Sequence, residues 1–183
     1  MKVQRGAPVP TGGTKLGYSA KEMADVNRQS IALLDEIRKE YAGDANKIVI
    51  SGCLGPRGDG YKPVNTMSEK DAESYHRKQI QTFEDTAADM VTAITMNYAE
   101  EAVGIAQAAK YENMPVVISF TVETDGRLPS GQTLRSAIEQ VDSSTSLYPS
   151  FYMINCACQA TKTVRGSRTA LNLKTVIDRS FPS

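Results

Sequence analysis

Two of the three cysteines lie two residues apart, at the end of the apolar segment "FYMINCACQ" (151–159). Cysteine thiolates bind zinc, but a structural zinc site takes four protein ligands and a catalytic site takes three. Side chains two residues apart lie on the same face of a strand, so Cys156 and Cys158 point together if the strand continues through them. The spacing leaves two interpretations open, a metal site and two inert buried thiols, and it favours the thiols.

Other polar groups that could do chemistry follow a second apolar run, in "TVETDGRLPSG". Glu123 and Asp125 stand at the end of that run, where carboxylates can bind an amino group or transfer a proton. The alternative is a solvated turn that bends at Asp125 and Gly126. The single histidine, His76, lies in a strongly polar helical segment. This context favours a surface or helix-packing role for His76, and no G-x-S-x-G motif indicates a hydrolase triad.

A glycine-rich segment, "GCLGPRGDGY" (52–61), follows a third apolar run. Its glycines match neither the dinucleotide-binding nor the P-loop spacing, and Pro56 removes a backbone donor that a phosphate cradle would need. We therefore predict a tight loop in which Arg57 and Asp59 pair locally. Cys53, at the end of the preceding strand, is predicted to be a packing residue.

Helix signals alternate with apolar runs along most of the chain. Candidate caps pair a side-chain acceptor with an acidic residue three positions later. These pairs are Ser19 with Glu22, Ser68 with Asp71, and Asn97 with Glu100. They predict helices that begin near residues 19, 68 and 97, and the first of them runs to about residue 42. A fourth helix is predicted over "QTLRSAIEQVDSST".

Four apolar runs lie between or after these helices: "NKIVISGCL", "DMVTAITM", "MPVVISFTV" and "SFYMINCA". Runs that are apolar almost throughout are typical of parallel strands buried on both faces. Both an open doubly wound sheet and a (β/α)8 barrel fit this pattern. In either architecture ligand sites lie at the carboxyl ends of the strands, where the polar segments described above are found.

Composition narrows the class of protein. The chain has 183 residues, 40% hydrophobic and 23% charged, and its 21 basic and 21 acidic residues cancel. A neutral chain argues against a nucleic-acid or membrane-surface protein. There is no apolar run long enough to span a bilayer, and "MKVQRGAPVPTGG" lacks an apolar signal core. Three cysteines predict reduced thiols and a cytoplasmic location.

Seven segments, in order, resemble the homocysteine S-methyltransferase family over roughly residues 8–158. They are "GTKLGYSAKEMADVNRQSIALL", "ISGCLGPRGDGY", "SYHRKQIQTFEDTAADMVTAITM", "EEAVGIAQAAK", "PVVISFTVETDGRLPSGQTL", "AIEQVD" and "FYMINCA". The resemblance implies a (β/α)8 (TIM) barrel that binds Zn²⁺ through three cysteines and takes the homocysteine sulfur as fourth ligand. It further implies methyl transfer from a small-molecule donor to that sulfur, giving methionine, as in methionine biosynthesis.

Carried over residue by residue, the resemblance makes Cys156 the first zinc ligand. It places Asn155, Glu123, Thr124 and Asp125 on the substrate side of the pocket. The adjacent cysteine pair that completes the family's zinc site has no counterpart in this chain, and Cys158 stands where relatives usually have histidine. Many relatives also have a glutamate at the end of the strand that here reads "TAITM".

The family pattern predicts a partial barrel of about four βα units with parallel strands. We predict that residues 1–158 form the central part of such a barrel and that residues 159–183 form a divergent tail, as in a truncated member. Two interpretations of function follow. One is a homocysteine methyltransferase whose activity is limited by the missing ligands; the other is a non-catalytic half-barrel that serves as a binding or interaction domain. Two open sheet edges also predict self-association.

Overall fold

The computed structural model describes residues 12–41, 43 and 47–155. In this part of the chain four strands alternate with helices. The elements are α1 (Gly12–Lys15), α2 (Ala20–Tyr41), β1 (Ser51–Leu54), α3 (Glu69–Glu84), β2 (Met90–Met96), α4 (Ala99–Tyr111), β3 (Val116–Thr121), α5 (Leu134–Thr145) and β4 (Phe151–Asn155). The predicted alternation is confirmed, and the short α1 precedes the first predicted helix. No helix among these residues has the length and apolarity needed to cross a membrane.

The four strands form one parallel sheet in the order β1-β2-β3-β4. Each strand pairs with the next one along the chain, and a helix makes each crossover. In register, Ser51 lies opposite Met90, Val91 opposite Val116, and Val117 opposite Phe151. The predicted fold class, a partial (β/α)8 barrel of about four parallel βα units, is confirmed.

Burial is greatest in the middle of the sheet. All six residues of β3 are buried, whereas the two edge strands expose part of their surface. β1 is also shorter than its apolar run: Ile48 and Val49 precede it and are 37% and 62% exposed. The pairing of β1 with β2 begins at Ser51, so Ile48 and Val49 have no paired residue in β2. The prediction that strands are buried on both faces therefore holds for the centre of the sheet and is wrong for its edges.

Two of the three predicted caps are confirmed. The backbone N–H of Glu22 donates to Ser19 Oγ at 3.2 Å, and that of Asp71 donates to Ser68 Oγ at 3.2 Å. The cap predicted at Asn97 is wrong, because Tyr98 occupies the N-cap position of α4 without a side-chain hydrogen bond. Asn97 Nδ2 instead donates to the carbonyl of Asp59 at 2.7 Å. The Asn97 side chain thus binds the loop after β1 rather than its own helix.

α3 and α4 pack closely over the sheet. Nine of the thirteen residues of α4 are buried, most of them small. A Cβ atom placed on Gly104 would lie 2.4 Å from the Cβ of Ala72 and 2.6 Å from the carbonyl oxygen of Glu69. The absence of a side chain at Gly104 is therefore what allows α4 to approach α3 and to hold its amino end beside the sheet's carboxyl edge.

α2 is packed much less completely. Its sequence predicts an apolar face, but Val26, Leu33 and Ile37 are 46%, 58% and 43% exposed, and Ile31 is its one buried residue. α2 contacts α3 and leaves its apolar face toward solvent. An apolar helix face of this kind is normally covered by a neighbouring element.

Candidate functional site at the carboxyl edge of the sheet

Asn155 joins three strands at the carboxyl edge of the sheet. Its side-chain oxygen accepts a hydrogen bond from the backbone N–H of Thr95, at the end of β2, at 3.1 Å. The same oxygen accepts a short hydrogen bond from the hydroxyl of Ser119 in β3. Its backbone carbonyl accepts from Val122 N at 3.3 Å. Asn155, a predicted substrate-side residue, is therefore fixed by the sheet itself at the predicted edge.

The bond to Thr95 depends on an irregularity in β2. The ladder between β2 and β3 shifts register between Ala93 and Met96, and Thr95 has a positive φ of 57°. A positive φ is uncommon for a β-branched residue and persists only where surrounding contacts support it. Here the Asn155 oxygen supports it, and the Thr95 hydroxyl donates to the carbonyl of Ile94 at 2.7 Å. The bulge directs the Thr95 N–H toward β4.

The loop after β1 is held against this edge by the first turn of α4. Glu101 Oε1 accepts a hydrogen bond from Arg57 N at 2.6 Å, and Asn97 Nδ2 donates to the Asp59 carbonyl. The predicted pairing of Arg57 with Asp59 is wrong: the Arg57 guanidinium donates to the Asn65 carbonyl. The Asp59 carboxylate instead accepts from Tyr61 N at 2.8 Å. The segment is thus a tight, side-chain-anchored loop, as the sequence predicts.

A buried contact between a histidine and a glutamate anchors that loop. His76 Nε2 lies 2.9 Å from Glu101 Oε1, and the two side chains are 2% and 0% exposed. The helix-packing interpretation of His76 is confirmed. Glu101 Oε2 has no hydrogen-bond partner among the described residues. Burial, with a contribution from the Glu101 charge, raises the pKa of the neighbouring Tyr98 to about 12, and the Tyr98 hydroxyl accepts from Met67 N at 3.1 Å.

The loop after β3 carries the predicted residues Glu123, Thr124 and Asp125, and all three are exposed. Asp125 Oδ1 accepts from Arg127 N at 3.0 Å, and Gly126 has a φ of 82°. The backbone is therefore the turn that the second interpretation describes. The Glu123 carboxylate makes no hydrogen bond or ion pair within the described part of the chain, so it can still attract a cationic amino group. Ser130 N donates to the Asn97 carbonyl at 3.3 Å and ties this loop to α4.

Of the three cysteines, Cys53 alone lies within residues 12–41, 43 and 47–155. Cys156, the predicted zinc ligand, and Cys158 lie outside the described residues. Cys53 is exposed on β1, so its predicted role as a packing residue is wrong. Partial desolvation raises the pKa of its thiol, which disfavours the thiolate. No group of three histidine, cysteine or acidic side chains that could hold a metal occurs in these residues.

Three residues of the site were not predicted: Thr95, Ser119 and Glu101. Ser119 carried a readable signal, because it is a polar residue inside the otherwise apolar run "VVISFTV". Glu101 carried none, since acidic residues in the first turn of a helix are ordinary. The burial of Glu101 is apparent only in the structure, where α3 places His76 beside it.

Replacing Asn155 with alanine is expected to lower the free energy of unfolding by about 1–3 kcal/mol, because the Thr95 N–H and the Ser119 hydroxyl lose their acceptor. Urea unfolding of the purified chain measures this loss. Asn155→Asp keeps an oxygen in the same place and is the matched control, so it should retain most of the stability. An equal loss in both variants would show that the shared acceptor does not hold the edge together.

The sequence and the fold are both similar to those of known proteins. Residues 10–176 match the family model described as homocysteine S-methyltransferase. The structure is similar to the metallated form of the homocysteine methyltransferase MmuM from Escherichia coli, with a TM-score of 0.70 and 21% identity over 81% of this chain and 54% of that one. Its apo form gives a TM-score of 0.67 at 20% identity, over 82% and 58%. The chain thus spans just over half the length of these proteins. No curated protein matches it at a significant level.

Proposed function

Because the chain belongs to the homocysteine S-methyltransferase family, we propose that its carboxyl edge binds homocysteine and presents the thiol for methylation to methionine. The proposal is supported by the hydrogen bonds that join Asn155 to β2 and β3, which we call the Asn155 junction. The residue that precedes the predicted thiolate ligand is held by two strands at the edge where barrel enzymes place their sites. In the reaction the homocysteine thiol releases its proton to solvent and its sulfur bonds to the methyl carbon. The bond between the methyl carbon and the donor breaks, and its electron pair stays with the donor.

The described residues would act by binding and orientation. The Glu123 and Asp125 carboxylates would attract the amino group of homocysteine, since both are exposed beside the end of β3. Asn155 would fix the start of the segment that carries Cys156. Holding two reacting atoms in line accounts for a large part of catalysis in transfer reactions. We also propose that the methyl donor is a small molecule, that the protein is cytoplasmic and that it takes part in methionine biosynthesis.

Zinc fits this chain only in part. Cys156 would supply one thiolate, of the kind that zinc prefers, but a catalytic zinc needs three protein ligands. Cys156 lies outside the described residues, and these contain no group of three side chains that could hold a metal. A divergent tail that begins at residue 159 is part of the proposal, and the family match continues to residue 176.

The same shortage of ligands favours a second candidate, a non-catalytic half-barrel that binds homocysteine or a related amino acid. In this case the anchored loops and the Asn155 junction would form a binding edge without methyl transfer. The two candidates differ in zinc content and in product.

Zinc titration together with a methionine assay tests these candidates. The chain is supplied with homocysteine and, in turn, with a sulfonium, an ammonium and a cobalamin methyl donor. Methyl transfer predicts stoichiometric zinc and zinc-dependent methionine. Cys156→Ser should then lower activity by more than the roughly 10–100-fold that changes next to a metal ligand cause.

Cys53→Ser is the matched control, because Cys53 lies on β1, three strands away from β4 in the sheet, and it should retain activity. If methionine forms equally in Cys156→Ser, Cys156 is not the ligand. If neither zinc nor methionine is detected while homocysteine binds, the binding-domain candidate holds.

A further inference from the structure

Thr95 has a backbone conformation that is costly for its residue type. Its φ of 57° lies in the left-handed region, which glycine, asparagine and aspartate enter more easily than a residue branched at Cβ. Among the described residues other than glycine that share a positive φ, Thr95 is the one that is branched at Cβ and the one that lies within a strand. A costly conformation persists only where its surroundings impose it, and such positions cluster at functional sites.

The first constraint on Thr95 is the bulge in β2. Ala93 lies opposite Ile118 and Met96 opposite Phe120, so two residues of β2 face the single residue Ser119 of β3. Bulges of this kind are frequent beside active sites, where they change the direction of one residue. Here the bulge directs the Thr95 N–H to the Asn155 side-chain oxygen, 3.1 Å away.

The second constraint on Thr95 comes from the loop after β1. A Cβ placed on Gly60 would lie 3.3 Å from Oγ1 of Thr95 and 3.4 Å from its Cβ, so the loop rests against this side chain. The loop is itself fixed one residue earlier, where the Asp59 carbonyl accepts from Asn97 Nδ2 at 2.7 Å. Thr95 is therefore held between an anchored loop on one side and Asn155 on the other.

Packing alone does not account for a threonine at this position. The side chain is half-buried, and its hydroxyl donates to the carbonyl of the adjacent residue Ile94. Glycine would offer the same N–H to Asn155 without the steric cost of a positive φ. What threonine adds is stiffness, because branching at Cβ restricts its side chain and the loop contact restricts it further. Its effect is therefore to hold the backbone at the carboxyl end of β2 in one position.

We propose that Thr95 is a positioning residue for the homocysteine site, an inference that rests on the proposed function. It keeps Asn155, and with it the start of the segment that carries Cys156, in the binding position before the amino acid arrives. Thr95 acts through Asn155 and does not itself contact homocysteine. A site that is competent for part of the time binds its ligand more weakly in proportion to that fraction. If a flexible residue 95 formed the Asn155 contact a tenth of the time, binding would weaken about tenfold.

Titration calorimetry with homocysteine, in the presence of zinc, compares the wild-type chain with Thr95→Gly. Glycine keeps the N–H and tolerates the positive φ, but it removes the side chain that stiffens the backbone. We expect the Kd for homocysteine to rise at least about tenfold, while the urea midpoint of unfolding stays the same or rises. Hydrogen exchange at the amide of residue 95 should be faster in the variant. A merely structural role would not weaken binding while stability is kept.

Asn113→Gly is the matched control. Asn113 also has a positive φ, of 54°, but it lies between α4 and β3, at the opposite edge of the sheet. The same relaxation there should leave homocysteine affinity unchanged.

Two kinds of failure can be told apart. A wild-type chain that does not bind homocysteine would overturn the proposed function, and this inference with it. Where the wild-type chain binds, three results would overturn the positioning role of Thr95 alone. They are equal affinity in Thr95→Gly, a loss of affinity that comes with a lower urea midpoint, and an equal loss of affinity in Asn113→Gly.

Discussion

Replacing Glu101 with alanine is expected to lower the free energy of unfolding by about 2–6 kcal/mol, because two donors each lose their acceptor at a cost of about 1–3 kcal/mol. Glu101 is fully buried, and its Oε1 atom accepts from both Arg57 N and His76 Nε2. Alanine would leave both donors without this acceptor inside the protein. The loop after β1 would lose its anchor at the same time.

Urea unfolding at a fixed protein concentration measures the Glu101→Ala effect. Glu100→Ala is the matched control, since Glu100 precedes Glu101 on α4 and the hydrogen bond that its side chain accepts from Gln140 Nε2 is long at 3.4 Å. Its removal should cost no more than about 0.5 kcal/mol. Hydrogen exchange adds a local measure, because the amide of Arg57 should lose protection in Glu101→Ala. Equal stability of the two variants would contradict the anchoring role of Glu101.

Replacing Gly104 with alanine is expected to be the second most damaging change. The new Cβ would meet the Cβ of Ala72 at 2.4 Å and the backbone atoms Glu69 O and Glu73 N at 2.6 Å. Backbone atoms of a helix cannot move aside individually, so α3 and α4 must separate. The expected loss is at or above the upper end of the roughly 1–3 kcal/mol that overpacking costs.

Gly55→Ala provides the control for Gly104. No atom lies within 4 Å of the position that a Cβ at Gly55 would take. The same methyl group is therefore added without a clash, and stability should change by less than about 0.5 kcal/mol. Thermal unfolding followed by circular dichroism compares the two variants. A Gly104→Ala protein as stable as the wild type would mean that the helices are less tightly packed than described.

The order of the elements could be predicted from the sequence because its signals are local. Capping pairs such as Ser19 with Glu22, and apolar runs such as "VVISF", report backbone preference and burial within a few residues. Cap prediction failed at Asn97, where a contact distant in sequence overrode the local pattern. The Asp59 carbonyl, 38 residues earlier in the chain, accepts a hydrogen bond from the side-chain amide of Asn97, which the pattern predicted to cap α4.

The site could be predicted only in outline. The rule that ligands bind at carboxyl ends of strands, together with the family resemblance, predicts Asn155 and residues 123–125 as site residues. The partners of Asn155 could not be found in this way, because Thr95 is brought into place by a bulge and Ser119 by strand register. The exposure of α2 could not be predicted either. Its sequence shows an apolar face, but it does not show that no strand covers this face in the described chain.

Calorimetric titration of the chain with homocysteine and with homoserine, in the presence of zinc, tests for a thiol-binding site at this edge. Homoserine has a hydroxyl in place of the thiol and otherwise has the same shape and charges. We expect homocysteine to bind to the wild-type chain and homoserine to bind at least about tenfold more weakly, a difference of roughly 1.4 kcal/mol. Absence of homocysteine binding, or equal binding of the two amino acids, would contradict a thiol-binding site at the carboxyl edge of this sheet.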